Sequence, residues 1–465
     1  MFKYSFIFVA LMLGMADLAA AEARKPNIIF ILADDLGWSE LGCYGNRYNE
    51  SPNLDRLASQ GMRFTRAYAA APVCSPMRCS LMTGQWPARQ SITDYLRPND
   101  TIHLKEELTV LPELLKSAGY ATGIIGKWHL SGYASAGAYE SSPDKHGFDQ
   151  VIVSENAGIG GGSYFHPYHF NKTIQPRLGE KEYLTDRLNL EAIDFIHHHK
   201  DHPFFLYLAH YAPHTKLAGK PDLVARFKAK SGAGDGKKGS PNNPDLAAML
   251  YSIDQGVGKI MAAIDELKLA DDTILIFNSD NGGETNVTVN SPLRGGKSML
   301  NEGGIREPLI VRWPGRITPA SVSDTPVCSV DYFPTFAAIA GSPLPPGQTF
   351  DGVSLLPLWL GKNNFTRPRP LIWHYPLDKP HFLGGRSAGA IMDGDWKLIE
   401  FFDTGAVELY NLKDDIGEQH DLAAAQPERK SRMRAELKAV QQQFPSPPPA
   451  AKIESPAPGK KAARK

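Results

Sequence analysis

Residues 26–35 read Pro-Asn-Ile-Ile-Phe-Ile-Leu-Ala-Asp-Asp. An unbroken apolar run of this length is typical of a strand that is buried on both faces, as in a parallel or mixed sheet covered by helices. The run is followed directly by Asp34 and Asp35, so two carboxylates stand at the carboxyl end of the strand. In open α/β sheets this edge is where ligands bind. The segment therefore predicts both a fold class and the place of a functional site.

The same pattern recurs at three later points in the chain. Residues 120–126, 203–210 and 273–279 are further apolar runs that are typical of buried strands. Each run is followed by polar side chains, which are Lys127 and His129, then His214, and finally Asp280 and Asn281. We expect these side chains to lie at the ligand-binding edge of the sheet.

Helical patterns alternate with these strands, which indicates an α/β fold. Apolar residues at helical spacing predict a helix capped by Asp186 and another over residues 246–267. After residue 357 the rhythm changes to shorter strand candidates and one last helix, at residues 370–374, 388–392, 396–400 and 427–443. These predict a small C-terminal antiparallel sheet with a helix. The predicted organisation is a signal peptide (1–23), a large domain (24–360), a small α+β subdomain (361–444) and a disordered tail (445–465).

The charge balance of the chain argues against one class of function. The 465 residues carry 50 Lys and Arg against 50 Asp and Glu, a balance that argues against a nucleic-acid binder.

Residues 1–23 combine Lys3, an apolar run and a small-residue end, which is typical of a cleaved secretory signal. A membrane anchor is the alternative, but the run is short for a span of about 20 residues. We expect an exported protein, periplasmic or extracellular, without stable membrane insertion.

The sequence has four cysteines, Cys43, Cys74, Cys79 and Cys328. In an exported protein an even number is typical of two disulfides. A zinc site is disfavoured because no C-x2-C pair is present. The sequence leaves the pairing open.

Two pairs of hard oxygen ligands, Asp34 with Asp35 and Asp280 with Asn281, follow predicted strands. If those strands are neighbours, the four side chains converge on one point. Such a set suits Ca²⁺ or Mg²⁺ and is poor for zinc or copper. The alternative is that each pair caps a helix or forms a turn, where Asp and Asn are common.

Residues 74–84 read Cys-Ser-Pro-Met-Arg-Cys-Ser-Leu-Met-Thr-Gly. This segment resembles the signature of the formylglycine-dependent (type I) sulfatases, C-x-P-x-R followed by small residues and T-G. One position departs from the family, which usually has Ser where this chain has Met77. Further blocks that look like family blocks occur in family order at residues 26–38, 51–57, 126–130, 212–214, 279–282 and 294–297. The resemblance covers most of residues 26–360 and implies the alkaline-phosphatase-like fold, a large mixed β-sheet between helices plus a small C-terminal sheet.

The resemblance also implies a mechanism and a role for each site residue. Cys74 is converted to formylglycine, whose hydrate attacks the sulfur of a sulfate ester. The residues implied as ligands of one Ca²⁺ are Asp34, Asp35, Asp280, Asn281 and the modified residue 74. Arg78 steadies the diol, while Lys127 and Lys297 bind sulfate oxygens. His214 binds sulfate and protonates the leaving oxygen, and His129 takes the proton of the second hydroxyl.

The implied activity is hydrolysis of a sulfate ester, and export, neutral charge and aromatic segments favour a sulfated carbohydrate as the substrate. Maturation then requires a formylglycine-generating or anaerobic maturation enzyme as a partner. His374, within Trp-His-Tyr at residues 373–375, is a candidate substrate-binding residue if it reaches over the site; loop packing is the alternative. Two other functions stay open. One is a phosphodiesterase or phosphonate monoester hydrolase of the same superfamily, and the other is a sulfated-glycan binding protein in which Cys74 is unconverted.

Overall fold

The structure is a computed structural model that describes residues 24–98, 100–132, 141–156, 164–362 and 365–445. The predicted signal peptide (1–23) and the predicted tail from residue 446 onward lie outside the described residues. Among the residues that are described, no helix has both the length and the apolar character to cross a membrane.

A large mixed sheet forms the centre of the molecule, and within the described ranges it has nine strands. They run in the spatial order β4-β3-β5-β1-β6-β7-β2-β8, with β9 also paired to β2. The strands are β1 (Asn27–Ala33), β2 (Met62–Tyr68), β3 (Ala121–Gly126), β4 (Gln150–Ile152), β5 (Phe204–Ala209), β6 (Thr273–Ser279), β7 (Arg306–Arg312), β8 (Ser321–Ser323) and β9 (Val327–Cys328). The five strands from β4 to β6 are mutually parallel, whereas β7 is antiparallel to both neighbours.

Strand β1 lies in the middle of this sheet, between β5 and β6. All seven of its residues are buried because successive side chains enter two different cores. Ile28, Phe30 and Leu32 face one core, and Ile29 and Ile31 face the other. This two-sided burial is the physical reason for the unbroken apolar run in the sequence.

Helices cover both faces of the sheet. The helices in the described residues are α1 (Pro52–Ser59), α2 (Cys74–Thr83), α3 (Leu111–Ser117), α4 (Leu184–His199), α5 (Pro221–Lys228), α6 (Pro244–Glu266), α7 (Glu302–Ile305), α8 (Tyr332–Ala340), α9 (Leu356–Trp359) and α10 (Pro427–Gln441). The first core also contains side chains of α2, α3 and α8, and the second contains side chains of α1, α4 and α6. The predicted mixed α/β class is thus confirmed.

The smaller sheet is antiparallel and has four strands in the described residues. They are β10 (Leu371–Tyr375), β11 (Ala388–Asp393), β12 (Trp396–Phe401) and β13 (Val407–Asn411). Helix α10 packs on this sheet through Met433 and Leu437. The predicted small sheet with one helix is therefore present, and β13 is a strand that the sequence analysis did not predict.

A buried ion cluster joins the small sheet to the large domain. Lys397 on β12 is fully buried, and its Nζ lies 2.8 Å from Glu302 of α7 and 2.9 Å from Glu418. Arg306 and Tyr68 also bind Glu302, at 3.1 and 2.9 Å. A lone buried charge is costly, so the small sheet is held in a position where Lys397 keeps both carboxylates paired.

The Lys397→Met substitution tests this junction. It keeps the length of the side chain but leaves Glu302 and Glu418 without their shared cation. We expect the free energy of unfolding to fall by about 3–5 kcal/mol, measured by urea denaturation with fluorescence detection. The control is Lys413→Met, at an exposed position, which should change stability by less than about 0.5 kcal/mol. Equal stability of the two variants would contradict a role for the cluster.

Candidate active site

Cys74 is the first residue of α2, a helix whose ten residues are all buried. Its Sγ lies 3.2 Å from Nδ1 of His129. Burial raises the pKa of the Cys74 thiol to about 11, and the nearby lysines only partly oppose this. The unmodified side chain is therefore a neutral thiol at physiological pH, which is a poor nucleophile. All four cysteines of the sequence are free, so Cys74 is not held in a disulfide.

Arg78 lies one helical turn after Cys74 and is completely buried. Its Nη2 and Nε donate to one carboxylate oxygen of Asp280, at 2.7 and 3.2 Å. Its Nη1 donates to the backbone carbonyl of Lys127 at 3.0 Å. One guanidinium thus connects the start of α2 to the ends of β3 and β6.

The two predicted pairs of oxygen ligands lie side by side. Strands β1 and β6 are parallel neighbours whose register pairs Ala33 with Ser279, so the residues that follow meet. The side-chain amide of Asn281 donates to Asp35 at 2.7 Å, and the backbone N–H of Asp35 donates to Asp280 at 3.1 Å. Convergence of the four side chains required that these two strands be neighbours, and they are.

Several oxygens of this cluster are suited to a cation. Oδ1 of Asp34 and Oδ1 of Asn281 are buried and have no hydrogen-bond partner among the described residues. Asp34, Asp35 and His214 each offer a ligand atom within 4.8 Å of the others. Unpaired buried oxygens are costly, and a hard divalent cation would satisfy them. The donor chemistry therefore fits Ca²⁺ or Mg²⁺.

Two buried lysines balance the carboxylates. Nζ of Lys127 lies 2.5 Å from Asp34, and Nζ of Lys297 lies 2.6 Å from Asp35. Burial raises the pKa of Asp34 to about 8, and the charge of Asp280 adds to the rise. Burial would also raise the pKa of Asp35, but Lys297, His214 and Lys127 together outweigh burial and hold that pKa below its usual value.

The position of Lys127 depends on the residue before it. Gly126 ends β3 with a φ of 100°, in the left-handed region that favours glycine. A Cβ at this position would lie 2.0 Å from the backbone carbonyl oxygen of Ala209 on β5. Glycine therefore allows the chain to turn at the strand end and bring Lys127 over the carboxylates.

His129 is held in one tautomer. Its Nε2 lies 2.9 Å from the carbonyl oxygen of Leu96, which only accepts, so Nε2 carries the proton and Nδ1 is left as an acceptor facing residue 74. Burial lowers the pKa of His129 well below its usual value, and Lys127 lowers it further. The neutral imidazole thus presents an unprotonated Nδ1 to residue 74.

His214 lies at the more open side of the cluster, with 28% of its side chain exposed. Its Nε2 is 3.7 Å from Asp35, and its Nδ1 is 2.6 Å from the carbonyl oxygen of Thr215. Burial and Lys297 lower the pKa of His214 to about 4. The structure therefore brings together the predicted residues around Cys74, except for one.

That exception is His374, which faces away from the cluster. On β10 the side chain of Trp373 points toward the large domain, where its Nε1 donates to the carbonyl of Ala69 at 2.7 Å. Neighbouring side chains of a strand point to opposite faces. The ring of His374 accordingly packs against Phe402 and Phe444, with centroids 5.5 and 5.4 Å away. The prediction that His374 reaches over the site is corrected by this alternation.

Glu155, which was not predicted from the sequence, supports His129. Its carboxylate accepts the backbone N–H of His129 at 2.5 Å and that of Trp128 at 3.0 Å, and it binds the hydroxyl of Tyr211 at 2.8 Å. These bonds hold His129 at a φ of 56°, an uncommon conformation for histidine. Glu155 belongs to no motif and follows a strand of only three residues, so the sequence carried no signal for it.

The sequence of this chain is similar to those of known sulfatases. The sulfatase family model matches residues 26–342, and the model for the C-terminal part of N-sulphoglucosamine sulphohydrolase matches residues 296–443. Among relatives, the N-acetylgalactosamine-6-sulfatase of Canis lupus familiaris is 36% identical over 79% of this chain and 72% of its own length. Human arylsulfatase A is 33% identical over 90% of this chain and 88% of its own.

A bacterial sulfatase and a solved structure are also similar to this chain. The N-acetylgalactosamine-6-O-sulfatase of Bacteroides thetaiotaomicron is 31% identical over 88% of this chain and 91% of its own. The crystal structure of Ps i-CgsB in complex with k-i-k-neocarrahexaose has a TM-score of 0.79 and 31% identity, over 91% of this chain and 94% of that one. The chain therefore belongs to the sulfatase family, the sulfuric ester hydrolases of the alkaline-phosphatase-like superfamily.

Proposed function

We propose that this sulfatase removes sulfate from a sulfated carbohydrate, with residue 74 as formylglycine and Ca²⁺ as the bound metal. The observation that carries the proposal is the placement of Cys74 in one buried cluster with the oxygen pairs, 3.2 Å from His129. The relatives add support for the substrate class, because two of them are N-acetylgalactosamine-6-sulfatases and one structural neighbour contains a neocarrahexaose.

The Ca²⁺ ligands in this proposal are Asp34, Asp35, Asp280 and Asn281. The unpartnered Oδ1 atoms of Asp34 and Asn281 support this set. A divalent cation at this point supplies Lewis acidity, since it neutralises charge on the sulfuryl group and lowers the pKa of a neighbouring hydroxyl.

A formylglycine at residue 74 supplies a geminal diol, in which the second hydroxyl provides a route to release sulfate. The chain needs a maturation enzyme for this conversion and, in our proposal, export directed by residues 1–23. Met77, where the family usually has Ser, is completely buried and packs in the core between α2 and the large sheet. Its side chain is therefore not part of the site in the folded protein.

Three cations are available to bind an anionic ester. Lys127 and Lys297 are buried and lie beside Asp34 and Asp35, so their positions are fixed before substrate arrives. Arg78 is fixed by Asp280 and lies at the start of α2 beside residue 74. Preorganised charges of this kind stabilise a transition state without the cost of reorienting solvent.

In this proposal the two histidines handle different protons. His129 accepts a proton at Nδ1 from a hydroxyl of residue 74, because its Nε2 is committed to Leu96. His214 protonates the leaving alcohol. An anionic sulfuryl group beside His214 raises its pKa from the low value that burial and Lys297 impose, since negative charge stabilises the imidazolium.

Mass spectrometry of the peptide that contains Cys74 is the first test. Protein made together with a formylglycine-generating enzyme should lose about 18 mass units at Cys74 and should hydrolyse 4-nitrophenyl sulfate faster than 4-nitrophenyl phosphate. The Cys74→Ala variant should retain the wild-type melting temperature within a few degrees and lose at least about a thousandfold in kcat/KM, because no other described side chain replaces the nucleophile.

The control is Cys43→Ala, which alters another free cysteine outside the cluster. It should keep wild-type activity. An unmodified Cys74 in a protein that still hydrolyses sulfate esters would contradict the formylglycine proposal, and faster phosphate hydrolysis would favour the phosphonate or phosphodiester alternative.

Calcium binding gives a second prediction. For protein freed of metal with a chelator, Ca²⁺ at one hundred times its dissociation constant should add about 2.7 kcal/mol to the free energy of unfolding and restore sulfatase activity. Asp34→Asn should lose most of both effects, because it removes a carboxylate of the proposed ligand set. Asp403→Asn, at an exposed carboxylate of the small sheet, should respond like wild type. An activity that Mg²⁺ but not Ca²⁺ restores would contradict the choice of metal.

Glu155 gives a third prediction, as a positioning residue. Glu155→Gln removes one carboxylate oxygen that accepts the backbone N–H groups of Trp128 and His129. We expect kcat for 4-nitrophenyl sulfate to fall about 10–100-fold with KM within twofold, because His129 loses its fixed orientation while the sulfate-binding lysines stay in place. Glu180→Gln, at an exposed loop residue, is the matched control. A rise in KM with unchanged kcat would contradict this role.

A further inference from the structure

A cleft of about 800 Å³ lies beside the active site. Two parts of the chain form its walls, residues 91–97 and 100–102 of the large domain and residues 376–382 from the loop after β10. None of the functional residues predicted from the sequence lines it.

Direct contacts connect both walls to the reacting centre. In the first wall, Leu96 receives the Nε2 proton of His129 on its carbonyl and donates its own N–H to Ser75 at 3.0 Å. The second wall belongs to a loop that packs on the residue after Lys297, because a Cβ at Gly385 would lie 1.9 Å from the carbonyl oxygen of Ser298. A group attached to a sulfate held by Lys297 therefore has this cleft next to it.

His381 lines the cleft and carries a buried hydrogen-bonding atom. Its residue is 8% exposed, and its Nε2 is buried without a partner among the described residues. Its Nδ1 accepts the backbone N–H of Leu383 at 3.2 Å, so the proton of the neutral ring lies on Nε2. Burial lowers the pKa of His381, which keeps the ring neutral. A buried, unpaired N–H donor of this kind is costly unless a ligand oxygen accepts from it.

Aromatic rings beside His381 offer a flat apolar surface. The ring of Phe382 stacks on that of His381 with centroids 4.4 Å apart, and Tyr95 meets it edge-on at 5.6 Å. Phe382 is 76% exposed, which is unusual for so large an apolar side chain. An exposed ring next to a polar donor suits a ligand with one apolar face and several hydroxyl groups.

The charges of the cleft are nearly balanced. The acidic lining residues are Asp94, Asp100 and Asp378, and the basic ones are Arg97 and Lys379. Asp94 and Arg97 already bind each other at 2.7 Å, and the Arg97 guanidinium lies 4.1 Å from the centre of the Tyr95 ring. A lining without surplus positive charge does not favour a second sulfate or a carboxylate.

We propose that this cleft binds the sugar ring that bears the sulfate ester, with a neutral oxygen substituent accepting from Nε2 of His381 and the ring packing near Phe382. The proposal rests on the proposed sulfatase function and names the substrate class of the same site as a sugar with one sulfate and otherwise uncharged substituents. His381 thereby takes the specificity role that the sequence analysis gave to His374.

A pair of variants at His381 tests this. In His381→Asn the amide occupies the position of Nδ1 and keeps the bond to Leu383, but nothing replaces Nε2. In His381→Gln the longer side chain returns an N–H group to the position of Nε2. The probes are 4-nitrophenyl sulfate and a panel of monosulfated and polysulfated sugars that includes N-acetylgalactosamine 6-sulfate.

For the best monosulfated sugar we expect His381→Asn to raise KM about tenfold with kcat within twofold, the effect of one lost buried hydrogen bond. His381→Gln should recover most of that loss. Both variants should leave KM for 4-nitrophenyl sulfate within twofold, and Val322→Ala, at an exposed residue of β8, should change neither probe.

Failure of the cleft proposal can be distinguished from failure of the proposed sulfatase function. A wild-type enzyme that hydrolyses the aryl sulfate but no sugar in the panel would overturn the cleft proposal and leave the sulfatase function intact, whereas no hydrolysis of any sulfate ester would contradict the function itself. Equal rises in KM for sugar and aryl sulfates, or no rise for either, would overturn the role of His381. A clear preference for polysulfated sugars would contradict the neutral character of the cleft.

Discussion

The parallel pairing of β1 with β6 is the constraint on which the candidate active site depends. Its register sets Ala33 opposite Ser279, and so places Asp34 and Asp280 beside each other at the edge of a fully buried pair of strands. Carboxylates that are this close and this buried are strongly unfavourable alone. The sheet can keep them there only because cations from other elements reach the same point.

Those cations come from three different elements, and this ties the fold together around the site. Arg78 comes from α2, Lys127 from the end of β3 and Lys297 from the loop before α7. Together with Asp34, Asp35 and Asp280 they form a cluster of three basic and three acidic side chains. In the proposed function a divalent cation would add positive charge to this cluster, which favours the binding of an anionic ester.

The sequence indicated which residues form this cluster better than it indicated their supporting contacts. The apolar runs of β1, β3, β5 and β6 follow from burial on two faces, and the residues after each strand were therefore visible as candidates. Strands β2 and β7 were missed because both carry charged residues, Arg63 and Arg66 in β2 and Arg306 and Glu307 in β7, that break the apolar run. Glu155 was missed because it acts on backbone N–H groups, which leave no trace in side-chain patterns.

The wrong prediction for His374 shows that the two sheets have different roles. The buried cluster of Lys397, Glu302 and Glu418 fixes the small sheet against the large domain. Within β10 side chains alternate between the two faces, so Trp373 contacts the large domain and His374 points away from it. Side chains of the strand are thus used for packing, and only the loop that follows can reach the cleft. In the proposed function the catalytic groups lie at rigid strand ends and the recognition groups on a loop. The two sets can then vary separately, because a loop accepts substitution without disturbing a packed sheet. If the cleft binds the sugar as proposed, the loop at residues 376–382 is where a change of sugar specificity would leave the reaction chemistry intact.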